Sequence, residues 1–218
     1  MSKKKLVAGL LASASVLGIC LSGGTALAAE VQKEDTTVGI GFGEHVNPPG
    51  GELQIAWLPK SFDFGSGHTP DAVNAVDYTA KGAAKKYVVV SDARAESNAD
   101  KWILTAKLSD LKDGANTLSG ATLKFNTTLM GYSGDKAPED PTSVIPAGTR
   151  TAVVPATASL TPGAAATTVM NDDGAGTTSF KGKSAVEMSD IKLNVLGGKA
   201  LDNKTYTGTV TWSLDDTL

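Results

Sequence analysis

From Trp102 onward, apolar and polar residues alternate one for one. Trp102, Leu104, Ala106 and Leu108 fall on one side, and Thr105, Lys107 and Ser109 on the other. In an extended chain successive side chains point to opposite faces, so a period of two predicts a strand with one buried face. Leu123, Phe125, Thr127 and Leu129 repeat the pattern against Thr122, Lys124, Asn126 and Thr128. A polar, glycine-containing stretch from Asp113 to Gly120 separates the two, and they are predicted to pair as a hairpin. The cleanest alternation closes the chain, with Tyr206, Val210, Trp212 and Leu214 opposed to Thr207, Thr209, Thr211 and Ser213.

Shorter signals lie between these. Leu53, Ile55 and Trp57 alternate with Gln54 and Ala56, while Tyr87 to Val90 is a β-branched run of the kind that fills a deeply buried strand. Ala185 to Met188 leads into Ile191, Leu193 and Val195, after which Gly197-Gly198 turns the chain. Ser133 to Gly176 is rich in Pro, Ala, Gly and Thr. It is expected to be a long irregular connection with one or two edge strands, because proline cannot donate to a central ladder. Roughly eight to ten short strands and no helical stripe predict an all-β fold: an antiparallel β-sandwich, Ig-like, or a barrel-like sheet.

The first stretch follows other rules. Lys3, Lys4 and Lys5 precede an uncharged run from Leu6 to Ala29, and Ala26-Leu27-Ala28 offers small residues where a signal peptidase reads. Residues 1–28 are therefore expected to be a secretory signal peptide. Cleavage leaves 29–218 as one β domain with no membrane span. Leu17-Gly18-Ile19-Cys20 has the outline of a lipidation site, but branched Ile19 stands where a small residue is needed. Loss of the three lysines moves the formal charge from −3 to −6. An acidic domain without a basic stripe has nothing with which to displace counterions from phosphates, which disfavours nucleic acid and anionic wall polymers as partners.

Candidate chemistry is sparse. One cysteine and two histidines exclude a disulfide framework and a cysteine-based zinc cage, and no cofactor is expected. Gly65-Ser66-Gly67 lacks the spacing of a nucleophile elbow, and Asp63 and His68 beside it read as solvated turn residues. Asp172-Asp173, Glu139-Asp140 and Asp215-Asp216 read as surface acids, since adjacent carboxylates on an extended segment point to opposite faces. Asn171-Asp172-Asp173-Gly174 lacks the alternating ligands of a calcium loop. The chain is expected not to be an enzyme.

The tryptophans carry more information. Trp102 and Trp212 are in phase with aliphatic neighbours and read as core. Leu58-Pro59 interrupts the strand that carries Trp57, so Trp57, with Phe62 and Phe64 nearby, are the candidate exposed contacts for stacking on sugar rings. Trp102-Ile103-Leu104 at mid-chain and Trp212-Ser213-Leu214-Asp215 near its end resemble the paired motifs of the WxL domain of low-GC Gram-positive bacteria. Ser61-Phe62-Asp63-Phe64-Gly65, Leu160-Thr161-Pro162-Gly163 and Tyr206-Thr207-Gly208-Thr209-Val210-Thr211 resemble its flanking segments in the same order. Asp216-Thr217-Leu218 departs from the family's Asp-x-Pro.

The resemblance implies non-covalent attachment to the wall through peptidoglycan, in company with other cell-surface proteins encoded alongside WxL proteins. It marks Trp102, Leu104, Trp212 and Leu214 as motif residues, whether they touch a ligand or only build the fold. No terminal L-P-x-T-G string is present, so covalent sortase anchoring is not expected. Docking onto a partner surface protein through a strand edge or an apolar patch is the competing expectation.

Overall fold

A computed structural model describes residues 29–38, 52–95, 101–134, 143–173 and 179–217. The expected signal peptide with Cys20, and Glu139-Asp140, lie outside the described residues. The described chain is all-β, as the alternation predicts.

One sheet has five strands in the order β12 (Thr167–Asp172), β6 (Lys101–Leu108), β14 (Gly208–Thr217), β1 (Ala29–Val38) and β3 (Ser61–Phe62). The other runs β10 (Val144–Pro146), β9 (Ala121–Tyr132), β13 (Gly182–Val195), β5 (Lys85–Asp92) and β2 (Leu53–Trp57). Two further strands join it, β11 (Thr157–Leu160) on β9 and β4 (Val76–Thr79) on β13. A two-stranded ribbon, β7 (Lys112–Asp113) with β8 (Asn116–Thr117), stands apart. Pairing is antiparallel except between β1 and β3.

The alternating faces meet in one core. Trp102, Leu104, Ala106 and Leu108 from β6 and Val210, Trp212 and Leu214 from β14 pack in one cluster with Leu123, Phe125, Val88, Val90, Val186 and Met188 of the larger sheet. Phase is preserved along β13 by a bulge. Val186 and Met188 face the core before it and Ile191, Leu193 and Val195 after it, and Asp190 at the break adopts φ 48°. The extra residue switches which parity points inward.

Two expectations change, and one strand is added. β6 and β9 do not form a hairpin: β6 pairs with β12 and β14, whereas β9 pairs with β10, β11 and β13. The segment between them buries Leu111 and Leu118 and makes its own ribbon, carrying the chain from one sheet to the other. Apolar residues inside an apparent turn were the available sign. The described residues of Ser133 to Gly176 contain three strands rather than one or two. β10 and β12 close an edge of each sheet, where Pro146 removes no central bond. Finally, β1 fills a place between β14 and β3 that its polar sequence does not advertise.

Candidate functional site

The two Trp-x-Leu motifs lie side by side. Leu104 pairs directly with Leu214, and because β6 and β14 are antiparallel the tryptophans sit two residues away in opposite directions, Trp102 opposite Asp216 and Trp212 opposite Ala106. All four motif side chains are at most 2% exposed. They form one cross-strand cluster under the opposite sheet, closed to any ligand on the surface. Each tryptophan therefore marks one end of the sandwich.

At the Trp102 end, inward-facing acids gather. Trp102 is flanked in register by Asp172 on β12 and Asp216 on β14. Arg94 binds both Asp92 of the larger sheet and Asp216 of the smaller, and Lys181 Nζ stands 3.2 Å from Asp92 Oδ2. Burial alone would raise the Asp92 pKa, but hydrogen bonds and charge from Arg94 outweigh it and hold the carboxyl below its ordinary range. The same contacts raise Arg94 against its own desolvation. Asp172 is fully buried, which corrects its reading as a surface acid, and Thr151 Oγ1 donates to it at 2.7 Å. This is a structural clamp between sheets, with every acid in it engaged.

The opposite end is open. A cleft of about 560 Å³ lies between the loop that follows β3 and the loop that precedes β14. Leu111, Leu118, Leu193 and Val195 line its base, and Phe64, His68, Tyr78 and Tyr206 line its walls. Asp63, Asp202, Asn203 and Lys204 stand among the polar lining residues. A site of this size, with an apolar base and a polar rim, is within the range of a small-ligand site.

Local bonds set the walls. Asp63 Oδ1 accepts from Gly65 N at 2.7 Å, and Gly65 and Gly67 take φ of 85° and 73°, which glycine adopts without steric cost. His68 Nε2 donates to the Phe64 carbonyl at 2.7 Å, since a carbonyl only accepts. The His68 ring lies 4.5 Å from that of Tyr78. Across the cleft, Tyr206 Oη accepts from Leu201 N at 3.2 Å, and Asp113 Oδ2 accepts from Thr205 N at 2.6 Å. The first closes the loop on itself, and the second ties it to the ribbon.

The candidate contacts divide. Phe62 is fully buried and Phe64 is 8% exposed, which corrects their reading as exposed contacts. β3 pairs with β1 and turns Phe62 into the core, while Phe64 stays in the cleft wall. Trp57 is half-buried but not in line with Ile55: a bulge pairs Ile55 with Val90 and Trp57 with Val89, so Trp57 joins Val89, Tyr132 and Ala185 on the outer face of the larger sheet. Trp57 and the cleft are separate places. Tyr78 and Leu201 are cleft residues that the alternation did not mark, and Tyr206, in phase with Val210, lines the cleft, although glycines around His68 signalled a shaped loop. Asp63 and His68 both line the cleft wall.

Exposed apolar residues gather near the same end. Leu201 lines the cleft, Leu196 follows Val195, and the backbone of Val73 packs against Gly197; all three side chains are exposed. No helix among the described residues is long and apolar enough to cross a membrane.

No curated protein and no solved structure matches the chain. A family match covers residues 41–217, taking in the buried motif pair, the charged clamp and the cleft, and leaving out β1. With both motifs in register on neighbouring strands inside that span, the chain belongs to the WxL domain surface cell wall-binding family.

Proposed function

We propose that this chain is an exported, non-catalytic surface protein of a Gram-positive bacterium, held on the wall without a covalent link by contacts with peptidoglycan. Residues 29–218 act as one binding unit after loss of the leader. The observation that carries this reading is the family match over residues 41–217, which spans nearly the whole unit. The contact surface is the end cleft. It has the size and polarity of a ligand site, whereas the motif tryptophans are closed off in the core.

A second reading, docking onto a partner surface protein with wall retention indirect, draws support from the exposed Val73, Leu196 and Leu201 around that end. Incubating the purified chain with protein-stripped peptidoglycan separates the two. Retention on stripped sacculi supports direct binding, and retention on intact walls alone supports the partner.

A further inference from the structure

The cleft has a chemistry more specific than its size. Its base is aliphatic, and its walls carry three aromatic rings and an imidazole, of which Tyr206 and His68 are held by side-chain hydrogen bonds. Such a surface fits the C–H faces of pyranose rings, which are apolar and stack on aromatic faces and edges. Pinned walls lose little freedom when a ligand enters.

The polar rim then selects charge. The lining residues include no arginine; the lysine among them, Lys204, has Nζ 3.8 Å from Asp113 Oδ1, and a second ammonium, that of Lys81, packs against Gly65 in the same wall. Asp63 and Asp202 supply negative charge at the same mouth. A phosphate or a free carboxylate entering there meets the carboxylates of Asp63 and Asp202 and finds no bidentate guanidinium. A sugar diol meets the opposite, because hydroxyls donate to carboxylates. Asp63 spends Oδ1 on Gly65 N, and Oδ2 takes no hydrogen bond from any described residue. Asn203, in the left-handed region at φ 58°, adds an exposed amide with both donor and acceptor.

We infer that the end cleft formed by Phe64, His68, Tyr78, Leu201 and Tyr206 binds a short uncharged run of pyranose rings, with Asp63 accepting from sugar hydroxyls. This rests on the wall-binding reading and narrows it to the glycan strand, as against the charged stem peptides or a phosphate-bearing polymer.

The test is calorimetric titration of the mature chain with tetra-N-acetylchitotetraose, with a stem pentapeptide titrated in parallel, and retention on stripped sacculi measured on the same preparation. Saturable binding of the tetramer and none of the peptide is expected. Asp63→Asn keeps the acceptor for Gly65 N and removes the charge, so it should weaken the tetramer about tenfold without moving the melting temperature, as expected for one charge-assisted bond. Trp57→Ala, on the outer face, should leave the affinity unchanged. Retention on sacculi with no tetramer binding, or with peptide binding in its place, overturns the inference and leaves wall binding standing. Failure on sacculi as well overturns both.

Discussion

Trp212 Nε1 donates a 2.9 Å hydrogen bond to Oγ1 of Thr36, 176 positions earlier in the chain, and both residues are buried. The same hydroxyl donates to the Pro59 carbonyl at 3.0 Å. One side chain thus links the second motif on β14, the N-terminal strand β1 and the connection before β3. β1 lies outside the matched family region yet satisfies the polar atom of a motif tryptophan.

Thr36→Val keeps the shape and removes both bonds. It orphans a buried N–H and uncaps a carbonyl, and should cost about 1–3 kcal/mol. For a chain of this size a loss of that order lowers the melting temperature by roughly 2–4 °C per kcal/mol. A thermal melt followed by circular dichroism reads it directly. An unchanged midpoint would remove β1 from the account of motif stability.

The two motif tryptophans should not be equivalent. Trp102 Nε1 is buried with no hydrogen-bond partner among the described residues, whereas Trp212 Nε1 is satisfied. Trp102→Phe therefore removes an uncompensated polar group along with its packing. Trp212→Phe also breaks the bond to Thr36 and should be the more destabilising by about 1 kcal/mol. Leu104→Ala and Leu214→Ala should each cost about 2–5 kcal/mol. Being directly opposed, they should be non-additive in the double variant. Retention on sacculi by all four should track the folded fraction. A variant that is fully folded at the assay temperature and yet released from the wall would return the motif to the contact surface.

The legible part of this fold is the part whose neighbours do not matter. Alternation in β6, β9 and β14 states which side chains are inward, and all of the even positions from Trp102 to Leu108 are buried as it requires. Which strand lies beside which is decided by distant partners. Proximity in sequence favoured a hairpin of β6 with β9, whereas the burial of Leu111 and Leu118 places the two strands in facing sheets. Trp57 was misassigned to the face of Ile55 because a bulge has no composition of its own. The cleft was illegible for a related reason. Asp63 and His68 are near in sequence and were read as a solvated loop, and only the fold brings Tyr206 and Leu201 across from them.

Acid should open the clamp at the Trp102 end. The Asp92 side chain is 2% exposed and its folded pKa lies below the usual carboxylate value. A depressed folded pKa contributes stability that is present above the unfolded value, near 3.9 for Asp, and is lost as pH falls through the folded value. Urea titrations at neutral pH and at stepwise lower pH should show wild type losing stability from about pH 4 downward. Asp92→Asn should be weaker at neutral pH by about 3 kcal/mol, the scale for breaking a buried pair, and flatter below it. Equal slopes in the two proteins would acquit the clamp.

Alkali should act on the outer face of the larger sheet instead. Tyr87 is pushed up to about 12, first by burial and then by its 3.0 Å hydrogen bond to Glu187. A raised folded pKa contributes stability that is complete below the unfolded value, near 10 for Tyr, and is lost as pH rises through the folded value. Ultraviolet difference titration should therefore show one phenol ionising late. Glu187→Gln should bring that phenol down toward the others, and if the late step stays where it was the assignment to Tyr87 fails.

The bulge in β13 makes the sharpest demand on sequence. Asp190 and Ile191 together oppose Phe125, so Ser189 pairs with Asn126 and Lys192 with Lys124. Deleting Asp190 restores an unbroken ladder at the expense of phase. Either Val186 and Met188 or Ile191, Leu193 and Val195 must then turn to solvent, and no single register buries both sets. The deletion should abolish the cooperative unfolding transition. Point changes isolate the backbone term: Asp190→Val places a β-branched residue at φ 48° and should cost about 1–2 kcal/mol. Asp190→Gly relieves that conformation and forfeits an exposed ion pair with Lys192, which leaves it near neutral. Urea midpoints in the order glycine, wild type and valine variants, the first two close together, are the expected outcome. A deletion variant that melts like wild type would show that β13 holds its register by some means other than this residue.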